Sequence, residues 1–129
     1  MKKIAALDIG LKRVGVAFCF DNSIVLPQNA IRVHSKEQAV RDLKKLLEEW
    51  GINKVVVGIP KGGSSEEEMS KIIKDFVKEL DLDMEIDYVD ESFSSYEAKE
   101  LMKGKIKQKR DGRIDSIAAK IILERYLGI

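Results

Sequence analysis

A chain of 129 residues, 44% hydrophobic and 35% charged, can bury one core, is short for two, and is not compositionally disordered. Its net charge of +1 argues neither for nor against a polyanionic partner. The longest apolar runs, such as residues 52–60, are interrupted by charge and fall far below the roughly 20 residues of a membrane span, so no membrane helix is expected.

After two lysines, a run of only four apolar residues, 4–7, precedes Asp8, which reads as a first strand rather than a secretion signal. Residues 4–9 and 14–20 are apolar runs separated by Gly10-Leu11-Lys12-Arg13, the pattern of two antiparallel strands joined by a tight hairpin. A third extended run, residues 24–33, has Pro27 in its middle. Proline cannot donate to a ladder, so an edge strand or a bulge is expected there. Ser35 and Gln38 form a capping-box pattern, after which Ala39, Leu43, Leu46, Leu47 and Trp50 recur at helical spacing until Gly51. Residues 54–59, centred on Val55-Val56-Val57, read as a strand covered on both faces.

A polar loop follows, in which Ser64 or Ser65 can cap a helix bearing Met69, Ile72, Ile73, Phe76, Val77 and Leu80 and ending near Asp81. Residues 84–89 alternate as a half-buried strand, with Met84, Ile86 and Tyr88 on one side, and deliver Asp90 and Glu91 at its C-terminal end. Ser94 and Glu97 repeat the capping pattern before a short helix over residues 96–102. Ile114, Ile117, Ala118, Ile121, Ile122 and Tyr126 line one stripe of a last helix, closed by Gly128. The fold class is α/β: a mixed β-sheet with three antiparallel strands first, then αβαβ, flanked by helices in one domain over residues 1–129.

Cys19 is the sole cysteine, which excludes an internal disulfide, points to a cytoplasmic protein and predicts a packing role rather than a nucleophilic one. His34, the only histidine, ends an extended run and reads as a surface residue rather than a general base. Between residues 99 and 113 lie Lys99, Lys103, Lys105, Lys107, Lys109, Arg110 and Arg113 against only Glu100 and Asp111. Such a stretch fits a phosphate backbone, and taken alone it equally fits an exposed solvating loop.

Three acids stand against their local pattern. Asp8 follows four apolar residues inside a strand, where a carboxylate is costly without a charged partner or a metal. Glu91 sits at the mouth of another strand, where loops of α/β sheets commonly carry function. Asp115, beside Ile114 and three residues before Ala118, is turned close to the apolar face of its helix. Singly, each also fits an ordinary role: a strand end, a surface carboxylate and a first-turn acid that complements the helix dipole. Together they would suit Mg²⁺ or Mn²⁺, since hard divalent ions take a few carboxylate oxygens plus water and phosphate. Two such ions can activate water and stabilise the departing oxygen of a phosphodiester.

Asp8-Ile9-Gly10-Leu11-Lys12-Arg13-Val14-Gly15-Val16-Ala17, then Val55-Val56-Val57-Gly58-Ile59-Pro60, Val89-Asp90-Glu91 and Ile114-Asp115-Ser116-Ile117-Ala118-Ala119 resemble the ordered motifs of the YqgF family. That resemblance spans nearly the whole chain. It implies a ribonuclease-H-like fold and a cytoplasmic, metal-dependent hydrolase that trims the 5′ end of precursor 16S ribosomal RNA or resolves Holliday junctions. It places the family's acids on Asp8, Glu91 and Asp115, and its first motif on Lys12 and Arg13, which could hold a phosphate near the metal. Alone, those two cations also fit a charged hairpin turn. The chain departs from the family at Ser92, where an arginine is usual, and in a shorter loop after Pro60. Lys105, Lys107, Lys109, Arg110 and Arg113 are the further nucleic-acid candidates.

Two other readings share these features. An actin-like or sugar-kinase-like phosphotransferase also opens on a strand, an Asp-x-Gly turn and a hairpin, but it needs two large lobes and 129 residues supply one. A non-catalytic nucleic-acid-binding module would keep the fold, yet a phosphate binder gains nothing from clustered carboxylates. The partner is nucleic acid, precursor rRNA or branched DNA, with no membrane. The chain acts as a monomer or a homodimer, a two-fold junction favouring the dimer.

Overall fold

Alternation along the first strands divides the core between two faces of one sheet. The computed structural model describes residues 3–21, 24–59, 66–90 and 113–129. In it β1 (Ile4–Ile9) pairs antiparallel with β2 (Arg13–Cys19), with Ile9 opposite Val14 and Ile4 opposite Cys19. Beyond β2 lie β3 (Val25–Pro27) and β4 (Ile31–Arg32), both antiparallel to it. The third extended run is thus broken in two just after Pro27, and β3 forms the edge that proline tolerates. On the other side β5 (Lys54–Ile59) and β6 (Glu85–Asp90) run parallel to β1, giving the order β3-β2-β1-β5-β6.

Odd residues of β1 and even residues of β2 face two helices. Ala5, Leu7, Ile9, Val14, Val16 and Phe18 join Val55 and Val57 beneath Ala39, Leu43 and Leu47 of α1 (Lys36–Glu49) and Ile73, Phe76, Val77 and Leu80 of α2 (Glu66–Leu80). The expected cap of α1 is present: Gln38 N–H donates to Ser35 Oγ at 3.1 Å, and Ser35 N–H to Gln38 Oε1 at 3.3 Å. Gly51, at φ +64°, takes the left-handed conformation that follows the helix. Ser64 and Ser65, expected to cap α2, lie outside the described residues, as does the short helix expected over residues 96–102.

The opposite face carries α3 (Arg113–Leu127), whose Ala119, Ile122 and Leu123 pack on Ile4, Ala6, Ala17, Cys19, Val25 and Val56. Two expectations need correction. Ala118, Ile121 and Ile122 of the expected stripe are buried, but Ala119 and Leu123, outside it, are fully buried too, so the buried face is broader than expected, with Ala119 and Leu123 packed in one cluster with Ala6 and Ala17. Tyr88, expected on a half-buried side, is 42% exposed: β6 is the last strand of the order, and only part of its α2-side surface is covered. Cys19 is fully buried and His34 exposed, as their surroundings in the chain imply. Among the described residues no helix is long and apolar enough to cross a membrane.

Candidate active site

Three of the site candidates, Asp8, Arg13 and Asp115, lie where β1 ends and α3 begins. Because strand side chains alternate, Asp8 shares the α3 face with Ile4 and Ala6. Directly across the strand pair is Gly15, and above Gly15 lies the first turn of α3. A Cβ built on Gly15 would lie 2.0 Å from the Asp115 carbonyl oxygen and 2.9 Å from Asp115 Cβ. Residue 15 must therefore lack a side chain for Asp115 to reach this position. Asp8 and Asp115, 107 positions apart in the chain, thus flank one glycine.

Two polar contacts fix the helix start. Arg13 Nε donates to Asp115 Oδ2 at 2.8 Å, with side chains 20% and 29% exposed. Buried Ser116 accepts the Val16 N–H on Oγ at 3.4 Å. A negative side chain in the first turn also suits the positive end of the helix dipole. The other end of α3 is held by a second polar group. Lys54 Nζ lies 3.1 Å from Asp87 Oδ2 and 4.8 Å from the Tyr126 ring centre, and the Tyr126 hydroxyl donates to Asp87 Oδ2. The Tyr126 hydroxyl first, and the Asp87 carboxylate second, hold the Lys54 ammonium above the ordinary lysine range against the cost of burial.

Of the sequence candidates, the structure pairs Arg13 with Asp115 and sets Asp8 across the strand pair from Gly15, the residue against which Asp115 packs. Lys12 is exposed in the adjoining turn, where its carbonyl accepts the Val33 N–H at 2.9 Å. Glu91 directly follows Asp90, the last residue of β6, and lies outside the described residues, as do Lys105, Lys107, Lys109 and Arg110. Arg113 opens α3, and only its backbone is described. Among the described residues no group of three or more His, Cys, Asp or Glu side chains is placed to hold a metal. Asp8 and Asp115 supply hard oxygen donors on either side of Gly15, a set that fits a divalent ion once a third acid joins it.

Sequence reasoning missed Gly15, Ser116 and Lys54. Lys54 carried a usable signal, a charge opening an otherwise apolar buried strand, the same anomaly that selected Asp8. On the opposite face of the sheet a cavity of about 350 Å³ lies beside Gly10 and Leu11, but its lining is apolar apart from Lys36 and Asp75, so it is no metal centre.

A sheet of this order, with helices packed on both faces, has the ribonuclease-H-like fold of the RuvC-type resolvases. The Thermus thermophilus RuvC structure in complex with a Holliday junction substrate superposes with a TM-score of 0.61 at 8% identity, covering 99% of this chain and 97% of that one. A fowlpox virus Holliday junction resolvase gives 0.56 at 18% identity, covering 98% of each chain. The chain belongs to the RuvX Holliday junction resolvase family, whose model matches residues 2–128. Relatives named as candidate pre-16S rRNA nucleases include those of Sulfurovum, 57% identical over 98% of this chain and 99% of the relative, and Sulfurimonas denitrificans, 51% identical over 97% and 96%.

Proposed function

We propose that the chain is a cytoplasmic, divalent-metal-dependent nuclease, folded as one domain over residues 1–129, that processes the 5′ end of precursor 16S rRNA. The observation that carries the catalytic part is the placement of Asp8 and Asp115 on either side of Gly15 at one end of the sheet. Glu91, which follows β6, is the third acid of this reading. The assignment to rRNA is supported by the names of relatives that match along nearly the whole chain.

Asp8, Glu91 and Asp115 are the residues that would hold Mg²⁺ or Mn²⁺. The bound metal supplies a water activated at neutral pH and charge stabilisation for the departing oxygen. The protein's part is positional. The β1–β2 pairing sets Asp8, and the glycine contact with the Ser116 anchor sets Asp115. Exposed Lys12 offers a cation to a neighbouring phosphate at the adjoining turn, and the basic residues from Lys99 to Arg113 are further candidates for phosphate contact. Hydrolysis leaves a 5′-phosphate and a 3′-hydroxyl.

A second substrate, the four-way DNA junction, is favoured by the family description and by the resolvases that share the fold. Cleavage of labelled precursor rRNA, single-stranded RNA and a four-way junction with Mg²⁺ or Mn²⁺, with Asp8→Asn in parallel, separates the two. Metal-dependent cutting of precursor rRNA that Asp8→Asn abolishes is the expected result. Preference for the junction, accompanied by a dimeric mass in solution, would move the role to recombination. Binding without cutting of any substrate would make the chain a nucleic-acid-binding module.

A further inference from the structure

Resting on the metal-site reading above, we propose that Arg13 is a built-in competitor of the divalent ion: its guanidinium and the metal contend for the Asp115 carboxylate. The ion pair is close and partly shielded, with Nε 2.8 Å from Oδ2 and both side chains less than a third exposed. Arg13 also lies on the face the metal must use. As an odd residue of β2 it shares the α3 side with Gly15 and Ala17. A divalent ion seated on Asp115 would meet a fixed positive charge within one side chain's reach, and at that range even a water-like dielectric leaves substantial repulsion.

Binding the ion therefore requires Arg13 to leave Asp115 or weakens the ion's hold. A guanidinium released at the edge of the β1–β2 turn presents its planar donors to a phosphate oxygen. Anything that draws Arg13 away, a substrate phosphate above all, raises metal affinity, and by linkage the metal raises phosphate affinity equally. The same arginine thus couples metal loading to substrate.

The test is calorimetric titration of Mn²⁺ into the wild-type chain and into Arg13→Gln, which keeps a hydrogen-bond donor but removes the charge. Affinity is expected to tighten about tenfold in Arg13→Gln, with the gain vanishing in an Asp115→Asn background. Should Arg13→Gln fold poorly, the wild-type chain gives a second reading. The Arg13 Nε–H resonance, assigned by its loss in Arg13→Lys, is expected to lose exchange protection as Mg²⁺ is added. Equal or weaker Mn²⁺ binding by Arg13→Gln, or protection that survives saturation, would show that Arg13 orients the carboxylate alongside the ion and would overturn the competition. Failure of the metal reading itself looks different: Mn²⁺ binding would be absent, or indifferent to both Asp8→Asn and Asp115→Asn.

Discussion

Gly15 and the Asp115 carbonyl approach so closely that a Cβ on residue 15 would sit 2.0 Å from that oxygen. The neighbour is backbone, which cannot rotate aside, and Ser116 ties the same turn to Val16. Gly15→Ala must therefore lift the start of α3 from the sheet and carry Asp115 away from Asp8. The expected cost is about 2 to 3 kcal/mol by analogy with overpacked cores, together with loss of nuclease activity in the fraction that still folds. Thermal melting and a cleavage assay check both parts; a variant as stable and active as the wild type would refute the contact.

Asp8→Asn keeps the size of the side chain and a hydrogen-bonding oxygen while removing the charge. On the metal-nuclease reading the cleavage rate drops by about a thousandfold, equivalent to about 4 kcal/mol of transition-state stabilisation. The circular dichroism spectrum should be unchanged. Glu91→Gln should behave in the same way, which tests the third acid independently of its position. If Asp8→Asn retained rapid cutting, the site would lie elsewhere.

Lys54 is buried among Asp87, Glu85 and Tyr126, and its pKa is raised above the reference value of 10.5. A lysine stabilised in its charged form contributes fully below pH 10.5, and the contribution is lost as pH rises through the higher folded value. Lys54→Met should destabilise by about 1 to 2 kcal/mol near neutrality, a figure discounted because Asp87 and Glu85 keep access to water. The gap between mutant and wild type should stay constant from pH 7 to pH 9 and close only in more alkaline solution. A gap that narrowed already between pH 7 and pH 9 would assign the effect to another group.

The basic stretch ending at Arg113 predicts a salt signature. Replacing Lys105, Lys107, Lys109 and Arg110 by glutamine should weaken binding to all nucleic-acid sequences alike. It should also flatten the salt dependence of the binding constant by about one unit of slope for each phosphate that is no longer neutralised. Fluorescence anisotropy of a labelled RNA across a salt series measures this. An unchanged slope would leave these side chains as a solvating loop.

Periodicity alone determined the local elements, because a side chain's face is decided by its own neighbours. The alternating and β-branched runs became β1, β2 and β5 within a residue of their expected limits, and Ser35 with Gln38 placed the start of α1. The anomaly of a carboxylate in an apolar strand likewise pointed to Asp8 before any contact was known. Tertiary structure decided what each face meets. No local rule brings Asp115 over Gly15 across 100 positions, pairs it with Arg13, or buries Ala119 and Leu123 beside the expected stripe of α3. Those outcomes depend on the small residues Ala6, Gly15 and Ala17, which let α3 approach the sheet. Close approach is a property of two surfaces together, and the period of one segment carries no information about the other.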